Sequence, residues 1–493
     1  MHAGYHLPMV RSPLAAAPAA AREAVAFTGR IVMVGCGSVG QAILPLLRKH
    51  VALGPDALIV LAADEVGRGV AYENGAPFFY AHLKPRSFRR LLSRHVRAGD
   101  LLLNLSVDVS SLDLVRFAAE RGALYVDTSI EPWPGIFDNP MLDVRQRTNF
   151  MTRYRALALA RELGPESPTA VLDHGANPGL VSHFVKQALL DLRRALRAEG
   201  GAPATREEWA TLARDLGVTT IQISERDTQA SDRPKRPAEF VNTWSIDGIL
   251  DESVQPSEIS YGTAEKHRPR GAQFHRRDSG TLFLDRPGAA TFARSWTPSV
   301  GGFQGLMMSH NEVFSIGDFL SLRTGAKFAY RPSVMFVYHP CDDAMLSVLE
   351  LEGRGWLPQE RRRRLGTDIV TGMDELGVLL AGHARNAYWY GSQLTIEEAR
   401  RHVAYANATT LQVAAGALAA VVWAIRNPRR GIVEAEDLDF EDCLATAVPY
   451  LGRMVGEFTA WTPLQGRGEL FEERLDVDMP WQLQNVRSRQ WRG

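Results

Sequence analysis

GRIVMVGCGSVGQAILPLLRKH, residues 29–50, is the stretch whose reading decides the fold. Residues 29–34 are a short apolar run, GCGSVG occupies 35–40, and Ile43, Leu44, Leu46 and Leu47 then recur at helical spacing. Strand, glycine turn and helix in that order are the context a dinucleotide-binding GxGxxG needs. Gly35 allows the tight turn, Gly37 lets backbone approach a pyrophosphate, and Gly40 lets the helix pack closely on the strand. The helix opening at Ser38 and Val39 offers N–H donors and partial positive charge to the phosphates. A second apolar run, ALIVLAADE (57–65), ends in two acids. Asp64 lies 24 residues past Gly40, near the ~20 at which an acid meets the ribose hydroxyls. A carboxylate there repels a 2′-phosphate, so NAD is expected over NADP. Glu65 is an alternative partner for the ribose, and Arg68 is close enough to soften the preference.

Working outward, LLLNLSVDVS (101–110), ALYVDTSIE (123–131) and TAVLDHGANPG (169–179) repeat the pattern of apolar run and helix. Such runs predict a Rossmann-type, doubly wound parallel sheet, whose strands are covered on both faces. Ligands of these sheets bind at the carboxyl edge. Asn104, Ser106 and Thr128 fall there on the cofactor side, and Asp108 and Glu131 face the same crevice beyond adjacent strand ends. From about residue 180 the texture becomes that of a second, α+β domain with a mixed sheet. TTIQISERDTQ (219–229), FVNTWSIDGIL (240–250) and AYRPSVMFVYHP (329–340) read as its strands, separated by long loops such as 262–280. Residues 396–426 read as helical and alanine-rich, and a helix is expected over 441–460. The expected division is an Ala/Pro-rich, poorly ordered lead (1–27), an NAD-binding domain (28–176), a catalytic and dimerisation domain (177–405), and C-terminal helices and tail packing back on the first domain (406–493).

Composition narrows the function classes. A chain of 493 residues is long enough for two or three cores, since one core seldom grows past ~250–300 residues. Lys plus Arg and Asp plus Glu both number 56, so no net field steers the protein to nucleic acid or an anionic membrane. Cys36, Cys341 and Cys443 lie far apart and form no disulfide or metal framework, which fits a reducing cytoplasm. No window of ~18 uncharged apolar residues is read, so no membrane-spanning helix is expected. His339, Asp342 and Asp343 match no closed zinc spacing, and no metal is expected. Lys266–Arg277 and the four-arginine run Arg361–Arg364 read as solvated faces, because only Phe274 supplies an interleaved aromatic.

DHGANPGLVSHFVKQAL (173–189), ISERDTQ (223–229), NTWS (242–245), GFQGLMMSHNEVFSI (302–316), YRPSVMFVYHPCDDA (330–344), DELGVLLAGH (374–383) and NATTLQVAAG (407–416) together resemble the bacterial homospermidine synthases, relatives of saccharopine dehydrogenase. The resemblance runs from about residue 29 to the end. It implies an NAD-dependent, homodimeric synthase that joins two putrescines, or spermidine and putrescine, and releases ammonia or diaminopropane. The hydride is borrowed and returned, so no net redox change occurs. The family's functional positions map onto Asn177 in GANPG, Glu225 in ISERDTQ, Trp244 in NTWS, Glu252 in LDES, and His310 and Glu312 in SHNE.

Those residue types suit a flexible dication, whose ammonium groups need carboxylates and π-faces when buried. Glu225 and Glu252 are expected to anchor ammonium groups, Trp244 to face a cation, and Asn177 and His310 to position the reacting nitrogen or relay its proton. In DES the register between Asp251 and Glu252 stays open. Asp374 and Glu375 are further acids that could line the site, with Asp374 expected among the substrate ligands beside Asp108, Glu131 and Glu312. Two other functions compete. A saccharopine- or carboxynorspermidine-type dehydrogenase would need convergent arginines for its substrate's carboxylates. A non-catalytic NAD-binding scaffold would have no reason to gather Glu225, Trp244 and His310.

Overall fold

In a computed structural model the structure describes residues 23–276 and 279–488. Ile31, Val32 and Met33 are fully buried, as a strand covered by helices on both faces must be. Their strand, Ile31–Val34, pairs in parallel with Leu58–Ala62 on one side and Leu101–Asn104 on the other. Phe78–Tyr80 lies beyond the first neighbour. Leu124–Asp127, Ala170–Val171 and Ile432–Val433 lie in turn beyond the second. All pairings are parallel, and the chain reverses direction of travel across the sheet between Ile31–Val34 and Leu101–Asn104. That switch point opens a crevice at the carboxyl edge.

A second, mixed sheet carries ten strands among the described residues. At its centre Thr220–Asp227 runs parallel to Ser333–His339 and antiparallel to Met373–His383. Pro256–Ser260 and Thr281–Pro287 extend it on one side, and Asn386–Thr395 and Arg453–Thr459 on the other. Helix Leu180–Ala195 packs on the strands Met373–His383 and Asn386–Thr395.

Several expectations need correction. The lead is not unstructured through residue 27, because Val25–Ala26 pairs in parallel with Val51–Ala52; residues 1–22 lie outside the described residues. The strand read over 240–250 stops at Asn242. Ser245 there accepts a hydrogen bond from the Gly248 N–H at 3.1 Å and caps helix Ile246–Val254. The helix expected over 441–460 ends at Ala447, and Arg453–Thr459 is an edge strand. Gly452 turns the chain between them at φ +63°. The segment from 406 onward therefore divides: helix Ala408–Arg426 packs on helix Ser38–His50, while Arg453–Thr459 joins the second sheet. Helix Ala408–Arg426 is long and apolar enough to cross a membrane by length and composition alone, but its apolar window is 89% buried inside the protein. Arg361–Arg364, read as a solvated run, is a strand paired in parallel with Glu239–Asn242.

Candidate active site

The glycine turn is built as a phosphate cradle. Gly35 sits at φ +91°, and a Cβ there would stand 2.6 Å from the Leu105 carbonyl oxygen, so only glycine lets the two strand ends approach. A Cβ at Gly40 would stand 2.8 Å from the Gly35 carbonyl oxygen, which fixes the helix close against the strand. At Gly37 the space is open apart from the Arg364 guanidinium. Gly37 is also the N-cap of helix Ser38–His50 and makes no side-chain cap hydrogen bond. The first helical N–H groups therefore point at open cavity, and the residues fit a dinucleotide pyrophosphate.

Asp64 lines the same cavity, as do Ser38, Val39, Asn104, Ser106 and Thr128. Glu65 instead pairs with Arg68 at 3.1 Å, and neither reaches the cavity. Asn104 is held by three hydrogen bonds: its Nδ2 donates to the Tyr125 hydroxyl at 3.3 Å, and its Oδ1 accepts from the Ser106 hydroxyl at 2.6 Å and the Ser106 N–H at 3.3 Å.

From the turn the cavity, about 660 Å³, runs toward the mixed sheet, where Asn177, Glu225, Trp244, Glu252 and His310 line its far end. Asn177 Nδ2 donates to Glu225 Oε2 at 2.7 Å. Burial, and next the nearby Asp374 carboxylate, hold the Glu225 pKa well above the usual carboxylate range. Trp244 follows the strand Glu239–Asn242, and its Nε1 donates to the Tyr338 hydroxyl at 3.3 Å. Its indole occupies the space a Cβ at Gly248 would need, since that atom would stand 2.7 Å from Trp244 Cζ3. Tyr338 and Phe336 share one strand face, with rings 5.6 Å apart and nearly parallel, and His310 stacks on Phe336 at 4.2 Å.

His310 lies between two carboxylates, its Nδ1 3.1 Å from Glu312 and its Nε2 3.2 Å from Glu252. Burial alone would neutralise the ring, but Glu312 and Glu252 outweigh it and hold the pKa well above the usual histidine value. The two carboxylates thus favour the protonated imidazole and hold the proton it was expected to relay.

At the side of the cavity Asp108, Glu131, Asp251 and Glu252 come together. Burial, then Asp251, pushes the Glu131 pKa up to about 8. Burial, then Asp108, pushes Asp251 up to about 7. Burial, then Asp247, raises Asp108 as well. Acids that hold one another's protons in this way are complementary to a cation. Asp251 and Glu252, between which the register in DES was open, both line the cavity.

Two expected substrate ligands stand back from the cavity. Glu312 is buried behind His310. Asp374 is fully buried behind Glu225, where its Oδ2 accepts from the Thr409 hydroxyl at 2.6 Å. Glu375 accepts from Gln393 Nε2 at 2.6 Å, on the other side of the strand. His339, Asp342 and Asp343 do not converge, since Asp342 pairs with Arg226 at 3.1 Å and His339 Nδ1 meets the Pro340 carbonyl at 2.8 Å. Sequence reasoning passed over Tyr338, Arg362 and Arg364, although the arginine run itself was visible.

The comparisons with known proteins agree with this geometry. The saccharopine dehydrogenase NADP-binding domain family matches residues 31–171, and the saccharopine dehydrogenase C-terminal domain family matches residues 175–459. The chain is 48% identical over 463 residues to a homospermidine synthase of Blastochloris viridis, covering 93% of this chain and 97% of the relative. It is 43% identical over 467 residues to a homospermidine synthase of Mesorhizobium japonicum, covering 93% and 96%. The crystal structure of a homospermidine synthase from Legionella pneumophila in complex with NAD superimposes with a TM-score of 0.88 at 40% identity, covering 94% of this chain and 99% of the other. The chain belongs to the homospermidine synthase family, built on the saccharopine dehydrogenase fold.

Proposed function

We propose that the protein transfers an aminobutyl group between diamines, joining two putrescines with loss of ammonia, or spermidine and putrescine with loss of diaminopropane. The observation that carries this is the meeting, in one cavity, of the glycine turn with Trp244 and five acids: Asp108, Glu131, Glu225, Asp251 and Glu252. The glycine turn, Asp64, Asn104, Ser106 and Thr128 would hold NAD. When bound, NAD supplies the chemistry of accepting a hydride from an amine-bearing carbon and returning it to a carbon–nitrogen double bond.

The protein's own groups do the rest. Glu131, Asp108 and Asp251 hold the distal ammonium. Trp244, its N–H fixed by Tyr338, presents a π-face to the charged nitrogen at the reacting end, an interaction of ~2 kcal/mol once water is excluded. One amine must be neutral before its carbon can lose a hydride. Glu225, whose proton affinity burial raises, is the group placed to exchange that proton with the amine, and Asn177 holds the carboxyl in place. His310, in contact with Glu252 at 3.2 Å, orients that carboxyl toward an ammonium. Ammonia or diaminopropane leaves when the second diamine attacks the substrate imine.

A dehydrogenase acting on a carboxylated substrate fits less well. Of the two arginines lining the cavity, Arg362 is ion-paired with Asp247, and Arg364 stands at the glycine turn. The same reading includes a cytoplasmic homodimer without a nucleic-acid or membrane partner, in keeping with the chain's zero net charge and its three buried cysteines. The test is incubation with putrescine and a trace of NAD+. Homospermidine and ammonia without build-up of NADH absorbance are expected. Stoichiometric NADH would instead indicate a dehydrogenase, and silence with tight NAD binding a scaffold.

A further inference from the structure

The four-arginine strand has one member unaccounted for. Arg363 pairs with Glu239 at 3.1 Å and Asp368 at 2.8 Å. Arg362 pairs with Asp247, and Arg361 Nη2 donates to the Pro237 carbonyl at 3.3 Å. Arg364 alone has no protein acceptor among the described residues. It lines the cofactor cavity, and its Nη1 stands 3.6 Å from where a Cβ on Gly37 would be. Burial works against its charge, and Asp64 is the nearby carboxylate that partly restores it. Arg364 is solvent-exposed at the edge of the cavity, and a guanidinium with no protein acceptor beside a phosphate cradle is available to a bound anion.

The pyrophosphate of a dinucleotide carries two negative charges. The helix N-terminus offsets about half a charge, and the first turn, Ser38–Gln41, contains no basic side chain. We propose that Arg364 completes the phosphate cradle from the second domain, as the counter-charge to the cofactor pyrophosphate above Gly37. The inference rests on the NAD reading of the site.

Its position also joins cofactor and substrate sites mechanically. Arg364 is paired in register with Asn242, two residues before Trp244. Asn407 Nδ2 donates both to the Thr243 carbonyl at 2.5 Å and to the Leu365 carbonyl at 3.2 Å. One asparagine thus staples the residue before Trp244 to the residue after Arg364. A clamp so tied keeps the reduced cofactor in place while the imine exchanges amines.

The test is fluorescence titration of NADH, with ADP-ribose as a competitor, on the wild-type chain, R364Q and R364K. R364Q is expected to weaken NADH and ADP-ribose alike by about tenfold or more, the size of one charged hydrogen bond. R364K, which keeps the charge but loses the fork, is expected to fall between. During turnover of putrescine, R364Q should also leave measurable free NADH after rapid filtration. Wild-type affinity for NADH and ADP-ribose in R364Q would overturn the clamp. A wild-type chain that binds neither NADH nor ADP-ribose would instead overturn the NAD reading itself.

Discussion

Diamine binding is expected to expel a proton, and Glu131 sets the size of the effect. Its pKa of about 8, raised by burial and by Asp251, means that at pH 7 the empty protein holds that proton about nine times in ten. An ammonium brought against the carboxyl favours the ionised form, so the proton must leave. Leaving costs ~1.4 kcal/mol at pH 7, one pKa unit, and falls toward zero above pH 8. Glu131 is half-buried, so solvent screens part of this, and roughly tenfold tighter putrescine binding from pH 6.5 to 8.0 is an upper figure. The assay is calorimetry on NADH-loaded protein, which cannot oxidise the diamine, in two buffers of different ionisation enthalpy. Between about one and one and a half protons should be released per putrescine at pH 7, most from Glu131 and the rest from Asp251, and Glu131→Gln should abolish the larger part of that release while weakening binding at pH 8. Stability follows with a defined sign. The unfolded chain loses this proton near 4.5 and the folded one near 8, so the ligand-free protein loses stability as pH rises through that window. Stabilisation by putrescine should accordingly grow from pH 6 to pH 8. Equal heats in both buffers, or an unchanged proton count in Glu131→Gln, would refute the reasoning.

Three further outcomes are expected. Trp244→Ala should abolish turnover while leaving NAD affinity nearly intact; equal loss of both, measured by turnover and NADH fluorescence, would assign the indole a folding role. Glu312→Gln removes the larger of the two carboxylate fields that raise the His310 pKa, so the cation is lost at lower pH. The alkaline limb of the kcat/KM profile should then move to lower pH, and an unmoved limb would show that His310 charge is irrelevant to catalysis. Gly35→Ala would force a Cβ within 2.6 Å of the Leu105 carbonyl oxygen at φ +91°. Such strain costs ~1–3 kcal/mol, and it should lower Tm and NAD affinity together.

What the sequence could carry was local. The glycine turn needs only the backbone it sits in, so Gly35, Gly37 and Gly40 were legible from six consecutive residues. Trp244 was visible, but its setting was not: the end of its strand depends on Ser245 capping the next helix, a three-residue competition that apolar character does not reveal. The helix expected through residue 460 failed for a similar reason. Arg453–Thr459 becomes a strand because Asn386–Thr395 offers it an edge, and that edge lies some sixty residues upstream.

The site's electrostatics were hidden for a deeper reason. Asp374 looks like any acid opening a strand, yet it is buried because Thr409, at the start of a helix from a distant segment, covers it. From there it acts on the substrate only by raising the proton affinity of Glu225. Likewise Asp108 and Glu131 could be placed at the crevice from their strand ends, but only the fold adds Asp251 and shows that burial, and then the acids' mutual repulsion, raises the proton affinity of all three. Proton affinity raised by neighbours is a property of the set, not of any member. A motif can name the residues of such a site, but the charge it is built to receive can be read only from what those residues do to one another.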